Sequence, residues 1–446
     1  MDVFILLTLA QLFWIGFSLY WLLKRKDELP LIASVFLFYV FSFRFWALLQ
    51  GWTAPVDITN FGFESFTIER GLEAQGLAVL GQSIFLGAYC FSQRRVFIVD
   101  QDVAPPETVE RLFLLVMKLV CICVPVAVLT RLLVGIQTES GRSIAFEVSN
   151  YLWLFPLALV GVAILLAAVL RAGGLSGFFQ KLFGACAFGA IAYLTFGASL
   201  RFQFLGWLIA ATIILSAGKS LARKSLVLSM GVVAAIILFA IAGALRNADN
   251  PDADLQEDAL ERLAFAEDAN MLDGFVLLRQ VYPSRLEFSY GGEHLEILMR
   301  PIPRAWWPGK PVGSYMNKLG LTDANTGFTI GISPSLFGSF YQEGGVVGLA
   351  VLSAVYGLGF GKLMRWSAQL LPLTGLIIRG SACAALIPLL RGGDLPGNYA
   401  WFGMSFWPVA LVLFLRRKEM FPKFARASAG RTGPMPPAQT DFASHR

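Results

Sequence analysis

The stretch "RPIPRAWWPGKP" at residues 300–311 spaces Arg300, Arg304 and Lys310 among prolines 301, 303, 308 and 311, with Trp306 and Trp307 between them. Proline fixes φ, so these three cations are carried on a backbone with little ordering entropy left to lose. An indole has an apolar plate and one N–H, which suits an interface or the face of a sugar. The segment therefore reads as a rigid cationic and aromatic clamp; the same residues would also serve as an interfacial anchor.

Further cations stand where a bilayer resists them. Arg44 and Arg379 lie deep in the second and tenth apolar runs, and Arg131, Arg201, Arg246 and Arg391 sit at run ends. An arginine at mid-membrane costs about 2.5 to 3.5 kcal/mol on insertion scales. One such residue can snorkel to lipid phosphate, but a set of them points to a bound anion. Guanidinium forks hold phosphate oxygens bidentately and keep their charge, which suits a diphosphate on a membrane lipid. A proton acceptor is also needed if a hydroxyl is to attack. His294 is the only histidine near the clamp, with Glu293 beside it and Asp394 as rivals.

The elements that must position these groups are membrane helices. Of the chain's residues, 56% are hydrophobic and 15% charged, and the mean hydropathy is +0.63. Apolar runs at 3–23, 31–49, 72–91, 112–134, 151–170, 181–198, 203–217, 225–245, 344–361, 370–390 and 398–415 predict eleven spans in an all-α polytopic protein. The first run lacks a basic leader and precedes Lys24, Arg25 and Lys26, so it reads as a retained helix rather than a signal peptide. Short connections on one side carry Lys24, Arg25, Lys26, Arg94, Arg95, Arg111, Arg171, Lys181, Lys219, Arg223, Lys224, Lys362 and Arg365; those on the other carry Arg70, Arg142, Arg201 and Arg391. That bias predicts an amino terminus outside and a carboxyl terminus in the cytoplasm. The expected division is a first bundle over 1–245, one long outer loop over 246–341, three more spans over 342–415, and a disordered cytoplasmic tail over 416–446.

The loop has its own pattern. Asp254 and Glu257 fit a capping box that opens an acidic amphipathic helix, and a second helical stretch from Asn270 to Tyr282 stops at Pro283. After the clamp, "TGFTIGISPSLFGSFYQEGG" is apolar yet broken by glycines, and so is expected to dip into the membrane before the ninth span. All five cysteines fall in spans, which leaves the loop without a disulfide framework or thiolate metal site, and the only other histidine is His445. No cofactor is expected. The inner-face charges account for a sequence pI of about 9.1 without nucleic acid as a partner. "SAGKSLARKS" ends like a phosphate-binding loop but has Ile213 where the first glycine belongs, and it reads as an inner anchor. Gly344, Gly348, Gly357 and Gly361 have spacing that permits close helix packing.

"VYPSRLEFSYGGEHLEILMRPIPRAWWPGKP" resembles the large periplasmic loop of Wzy-type O-antigen polymerases, the oligosaccharide repeat-unit polymerases. The matching residues are Tyr282, Pro283, Gly291, Ile302, Pro303, Arg304, Trp307, Pro308, Lys310 and Pro311. "LRGGDLPGN" resembles a late element of that family and supplies Arg391 and Asp394; "GASLRFQFLGWL" resembles its Gly-Ser-Arg turn and supplies Arg201. The family's glutamate after the loop is not matched, since Ser339 stands there and Glu343 is only a neighbour. The resemblance implies a GT-C-like glycosyltransferase at the periplasmic face of the bacterial inner membrane. It would extend O-antigen or exopolysaccharide from undecaprenyl-diphosphate-linked oligosaccharides, with a flippase and a chain-length regulator as pathway partners. Its expected catalytic residues are Arg304, Lys310, Arg201, Arg391, Asp394, His294 and Glu293. Its expected substrate contacts are Arg300, Trp306, Trp307, Arg44, Arg131, Arg246 and Arg379. A lipid-linked glycan ligase would share the donor and the arginines, whereas a flippase or transporter would have no use for the rigid loop.

Overall fold

The computed structural model describes residues 1–59, 62–93, 106–139, 154–174, 177–195, 201–220, 223–224, 226–231, 233–234, 237, 270–300, 302, 306–307, 309–310, 318–319, 332–393 and 395–421, with only the backbone given for 106–108, Arg131, 133–139 and 201–204. Among them every regular element is a helix, and the one β-bridge joins Ser335 to Gly392. In chain order the helices are α1 Asp2–Arg25, α2 Leu29–Leu49, α3 Ile68–Ser92, α4 Pro106–Glu139, α5 Ala158–Arg171, α6 Phe178–Thr195 and α7 Arg201–Ser216. Then come α8 Met271–Val281, α9 Gly292–Met299, α10 Ser335–Ser367, α11 Pro372–Arg391, α12 Leu395–Leu415 and α13 Arg417–Met420. Eight of these are long and apolar enough to cross a membrane, and two shorter apolar helices, Phe155–Arg171 and Leu205–Ser216, match further expected spans. The run at 225–245 lies mostly outside the described residues, as do the acidic helix near 254–264 and the tail from 422. The protein is membrane-embedded and helical throughout what is described.

Packing follows from where small and polar residues fall on the apolar surfaces. Along α10, a Cβ on Gly357 would come 2.2 Å from the Phe85 carbonyl oxygen, and one on Gly361 would come 2.8 Å from that of Tyr89. These two glycines let α3 and α10 meet backbone to backbone, as their spacing predicts. Gly344 has another use. The long helix breaks at Gly344 and Gly345, where Gly345 takes φ 62°, ψ −144°, a conformation that favours glycine. The chain folds back there: the rings of Phe340 and Tyr356 meet with centroids 4.7 Å apart and planes tilted by 58°, although sixteen residues separate them. A straight helix would hold those positions ~24 Å apart. Residues 335–343 thus form a short buried arm laid against 346–367.

Polar side chains inside this bundle are cross-linked, as hydrocarbon surroundings require. Gln11 of α1 donates to Gln82 of α3 at 2.8 Å and accepts from Ser42 of α2 at 2.5 Å, and Gln75 donates to Ser42 at 2.8 Å. Ser42 lies in a π-helical turn, Tyr39–Phe43, whose extra residue turns it toward these partners. With 25 residues, α3 is ~37 Å long and defines the two ends of the bundle. Its start meets α8 of the loop, where Arg279 pairs with Glu73; its finish meets the α1–α2 corner, where Tyr89 donates to Asp27 at 2.6 Å.

Candidate functional site

At the loop end, α8 lies on the bundle as an apolar anchor: all residues from Met271 to Leu278 are buried. Arg44 holds it there. The Nε of Arg44 donates to Asp273 at 3.1 Å, while its other nitrogens donate to Thr53 at 2.9 Å and to the Ala54 carbonyl at 3.0 Å. This arginine, expected to bind an anion, is instead committed to a buried ion pair that seats the loop. Buried charge in apolar surroundings needs such a partner, and Asp273 satisfies it.

The chain then turns through Tyr290 and Gly291, both at positive φ, into α9. Two backbone bonds fix that turn against the fold-back of α10: Ser289 N–H donates to the Gln342 carbonyl at 3.0 Å and Tyr290 N–H to that of Glu343 at 2.9 Å. Side chains of the same residues meet in parallel. Gln342 donates to Glu293 at 2.7 Å, and next to it Glu343 Oε1 lies 2.8 Å from Nδ1 of His294. Glu293 also pairs with Lys318 at 3.0 Å, and Lys318 reaches Glu296 at 3.5 Å. Burial works against the charge on Lys318, but the two carboxylates outweigh it and hold its pKa above the ordinary lysine value. Glu293, a rival base in the sequence reading, is thereby occupied as a structural counter-ion.

His294 has the arrangement of a held base. The Glu343 side chain is only 3% exposed; its Oε2 accepts from Ser289 at 3.0 Å and from the Gly291 N–H. An ionised carboxylate can only accept, so Nδ1 donates to it, and in the neutral imidazole Nε2 is then the acceptor. Nε2 lies 3.0 Å from the Tyr356 hydroxyl, which in turn accepts from Tyr399 at 2.8 Å. A chain Glu343–His294–Tyr356–Tyr399 therefore joins α9, both arms of α10, and α12. Sequence reasoning identified His294 but missed the other three. The two tyrosines were legible only as polar-tipped aromatics inside apolar spans, a placement that calls for a hydroxyl partner.

The remaining expected residues fall into distinct groups. Arg300 and Lys310 line a cleft beside α9 with Glu296, Met299 and Pro396. Lys310 closes its own loop by donating to the carbonyls of Arg300 and Ile302 at 2.7 and 2.8 Å, so its charge stiffens the clamp as well as facing the cleft. Trp306 is exposed and Trp307 borders on it. Arg391 ends α11 at the same end of the bundle, its carbonyl accepting from Ser333 at 2.7 Å. The next residue, Gly392, has φ 70°, and a Cβ there would stand 2.1 Å from the Ser335 carbonyl carbon. Asn398 donates to Gly392 at 3.2 Å and so ties that corner to the helix carrying Tyr399. Arg379 is not in this group: it pairs with Glu28 and the Lys26 carbonyl at the opposite end. Arg304, Arg246 and Asp394 lie outside the described residues, as do the side chains of Arg131 and Arg201. Among the described residues no cluster of His, Cys, Asp and Glu could hold a metal ion.

No family model matches the chain, and neither a curated protein nor a solved structure matches it.

Proposed function

We propose that the chain is a membrane glycosyltransferase of GT-C-like class that polymerises undecaprenyl-diphosphate-linked oligosaccharide repeat units. His294 is its general base, and Glu343 orients and stabilises that base. The observation that carries this reading is the histidine held at 2.8 Å by a buried glutamate, on the same helix α9 whose carboxyl end, at Glu296, Met299 and Arg300, lines a cleft with Lys310. The resemblance of the surrounding loop supports the substrate class. In this reading the loop end faces the periplasm, the enzyme sits in the inner membrane, and a flippase and a chain-length regulator act on either side of it.

The chemistry follows from the roles of the groups. A sugar hydroxyl of the acceptor takes the place of the Tyr356 hydroxyl at Nε2 of His294. As its oxygen bonds to the anomeric carbon of the donor chain, its proton passes to Nε2 and the imidazolium is stabilised by Glu343. The bond from that carbon to the diphosphate oxygen breaks, and the electron pair leaves on the diphosphate. Arg300 and Lys310, with Arg304 of the same stretch of sequence and Arg391 at the end of α11, would offset the charge that develops there. A donor of this kind contributes about 3 to 4 kcal/mol, or roughly 10²–10³ in rate.

The test is electrophoresis of glycan made by the purified protein in liposomes from undecaprenyl-diphosphate repeat units, with and without lipid A core as a second acceptor. A ladder in repeat-unit steps without the core supports polymerisation. Transfer to the core with no ladder replaces this reading by a ligase, and movement of glycan across the bilayer without lengthening replaces it by a transporter.

A further inference from the structure

Helix α9 has its polarity inside out. Glu293 and Glu296 turn toward Lys318 and the fold-back arm, with side chains only 2% and 13% exposed, whereas Leu295 and Leu298 are 56% and 76% exposed. A helix in water would place these residues the other way round, since apolar burial drives folding and carboxylates keep their solvation at the surface. The same exposed apolar surface continues through Ile302 to Trp306, the latter 82% exposed.

The level of α9 along the bundle explains the inversion. His294 bonds to Tyr356, which lies eleven residues beyond the Gly345 break, ~16 Å along the helix axis. It is also linked to Tyr399, in the second turn of α12, and Pro396 of that helix's first turn borders the cleft. The helix therefore lies beside lengths of α10 and α12 that cross the membrane. At its carboxyl end the cations Arg300 and Lys310 line a cleft with Glu296, Met299 and Pro396. Apolar side chains flanked by tryptophan, arginine and lysine are the pattern of a segment lying in a bilayer interface, with the cations at phosphate depth.

We infer that α9 and the tryptophan loop are seated in the bilayer leaflet at the loop end, with Leu295, Leu298 and Trp306 among acyl chains, and that the cleft at Arg300 and Lys310 opens sideways to receive the phosphate of a membrane lipid. The seating rests on the inverted helix alone; that the lipid received is a glycan donor rests on the function proposed above. The site would thus be loaded from within the membrane, and the acceptor hydroxyl would reach His294 from the aqueous side.

Photocrosslinking on the full chain tests this. A p-benzoyl-phenylalanine is placed at Leu298 and, as a control on the exposed loop before α9, at Glu287, in vesicles of phosphatidylcholine and phosphatidylglycerol. Melting temperatures check each variant, and Leu295 serves as the probe position if replacement of Leu298 unfolds the protein. The expected result is lipid adducts from 298 and none from 287, with a preference for the anionic lipid that falls about fivefold in Arg300→Gln. Adducts from 298 to protein only, or to nothing, would overturn the seating. An anionic preference unchanged in Arg300→Gln would remove the lipid-phosphate role of the cleft. Loss of that preference on adding excess inorganic phosphate would reassign the cleft to a free anion. Lipid adducts without glycan lengthening would leave the seating intact and remove the polymerase reading; lengthening without lipid adducts would do the reverse.

Discussion

The two ends of the bundle both gather ionisable groups, and they use them differently. Opposite the loop, Glu28 is shared between Arg379 and Lys224, the latter at 2.7 Å, while Asp27 accepts from Tyr89 at 2.6 Å and from Trp21 at 3.3 Å. The two acidic and two basic side chains are all buried, and each cation is set against a carboxylate from another part of the chain. At the loop end, Arg44–Asp273 is of that kind, and Lys318, although more exposed, is likewise set against the buried Glu293; His294 differs. It has a buried carboxylate on one nitrogen and, on the other, the Tyr356 hydroxyl, itself backed by Tyr399, whose place an incoming hydroxyl would take in the proposed reaction. Charge balanced within the protein holds helices together; in the proposed reaction His294 instead exchanges the Tyr356 hydroxyl at Nε2 for that of a substrate.

Substitutions at the two ends should therefore fail in different ways. The largest effect on rate is expected from Glu343→Gln, which removes the carboxylate that fixes the imidazole tautomer: roughly 10²–10⁴ in glycan extension, with an altered pH–rate profile and a normal melting temperature. A variant that kept its pH profile while losing stability would make Glu343 a packing residue. Arg379→Ala should do the converse and cost about 3 to 5 kcal/mol of stability by stranding Glu28, seen as loss of folded protein on detergent melting. If it stayed folded yet lost extension, the two ends would not differ as described. Gly392→Ala should cost about 1 to 3 kcal/mol, because the backbone there is left-handed and Ser335 occupies the space of a Cβ; proteolysis of the 332–393 region reads it. Tyr399→Phe removes only the outermost hydroxyl of the chain and should change the extension rate by roughly tenfold or less.

How much of this was legible depends on whether a residue's meaning is local. The spans followed from apolar runs of bilayer length, and the helix expected at 270–282 is present as Met271–Val281 because its apolar face and its terminating proline are contiguous in sequence. The two buried arginines were legible as costly, but their partners were not, since Asp273 lies 229 positions from Arg44 and Glu28 lies 351 from Arg379. Reading them as anion ligands assigned a substrate to charges the protein itself neutralises. His294 was found by being alone in the loop, whereas Glu343 was passed over as a neighbour of a motif. What gives it meaning is the reversal at Gly344 and Gly345, which brings 342–343 against 289–294 over a separation of about fifty residues. Gly344 was visible in the sequence, but its spacing to Gly348 read as helix packing rather than a fold-back.

The claim that His294 is the working base is tested most directly by the initial rate of glycan lengthening. His294→Ala and wild-type protein, reconstituted in liposomes and matched in melting temperature, would be supplied with undecaprenyl-diphosphate repeat units. The account predicts a fall of roughly 10²–10⁴ in the substituted protein, with its lipid adducts from position 298 unchanged. A full ladder at the wild-type rate from His294→Ala would contradict it.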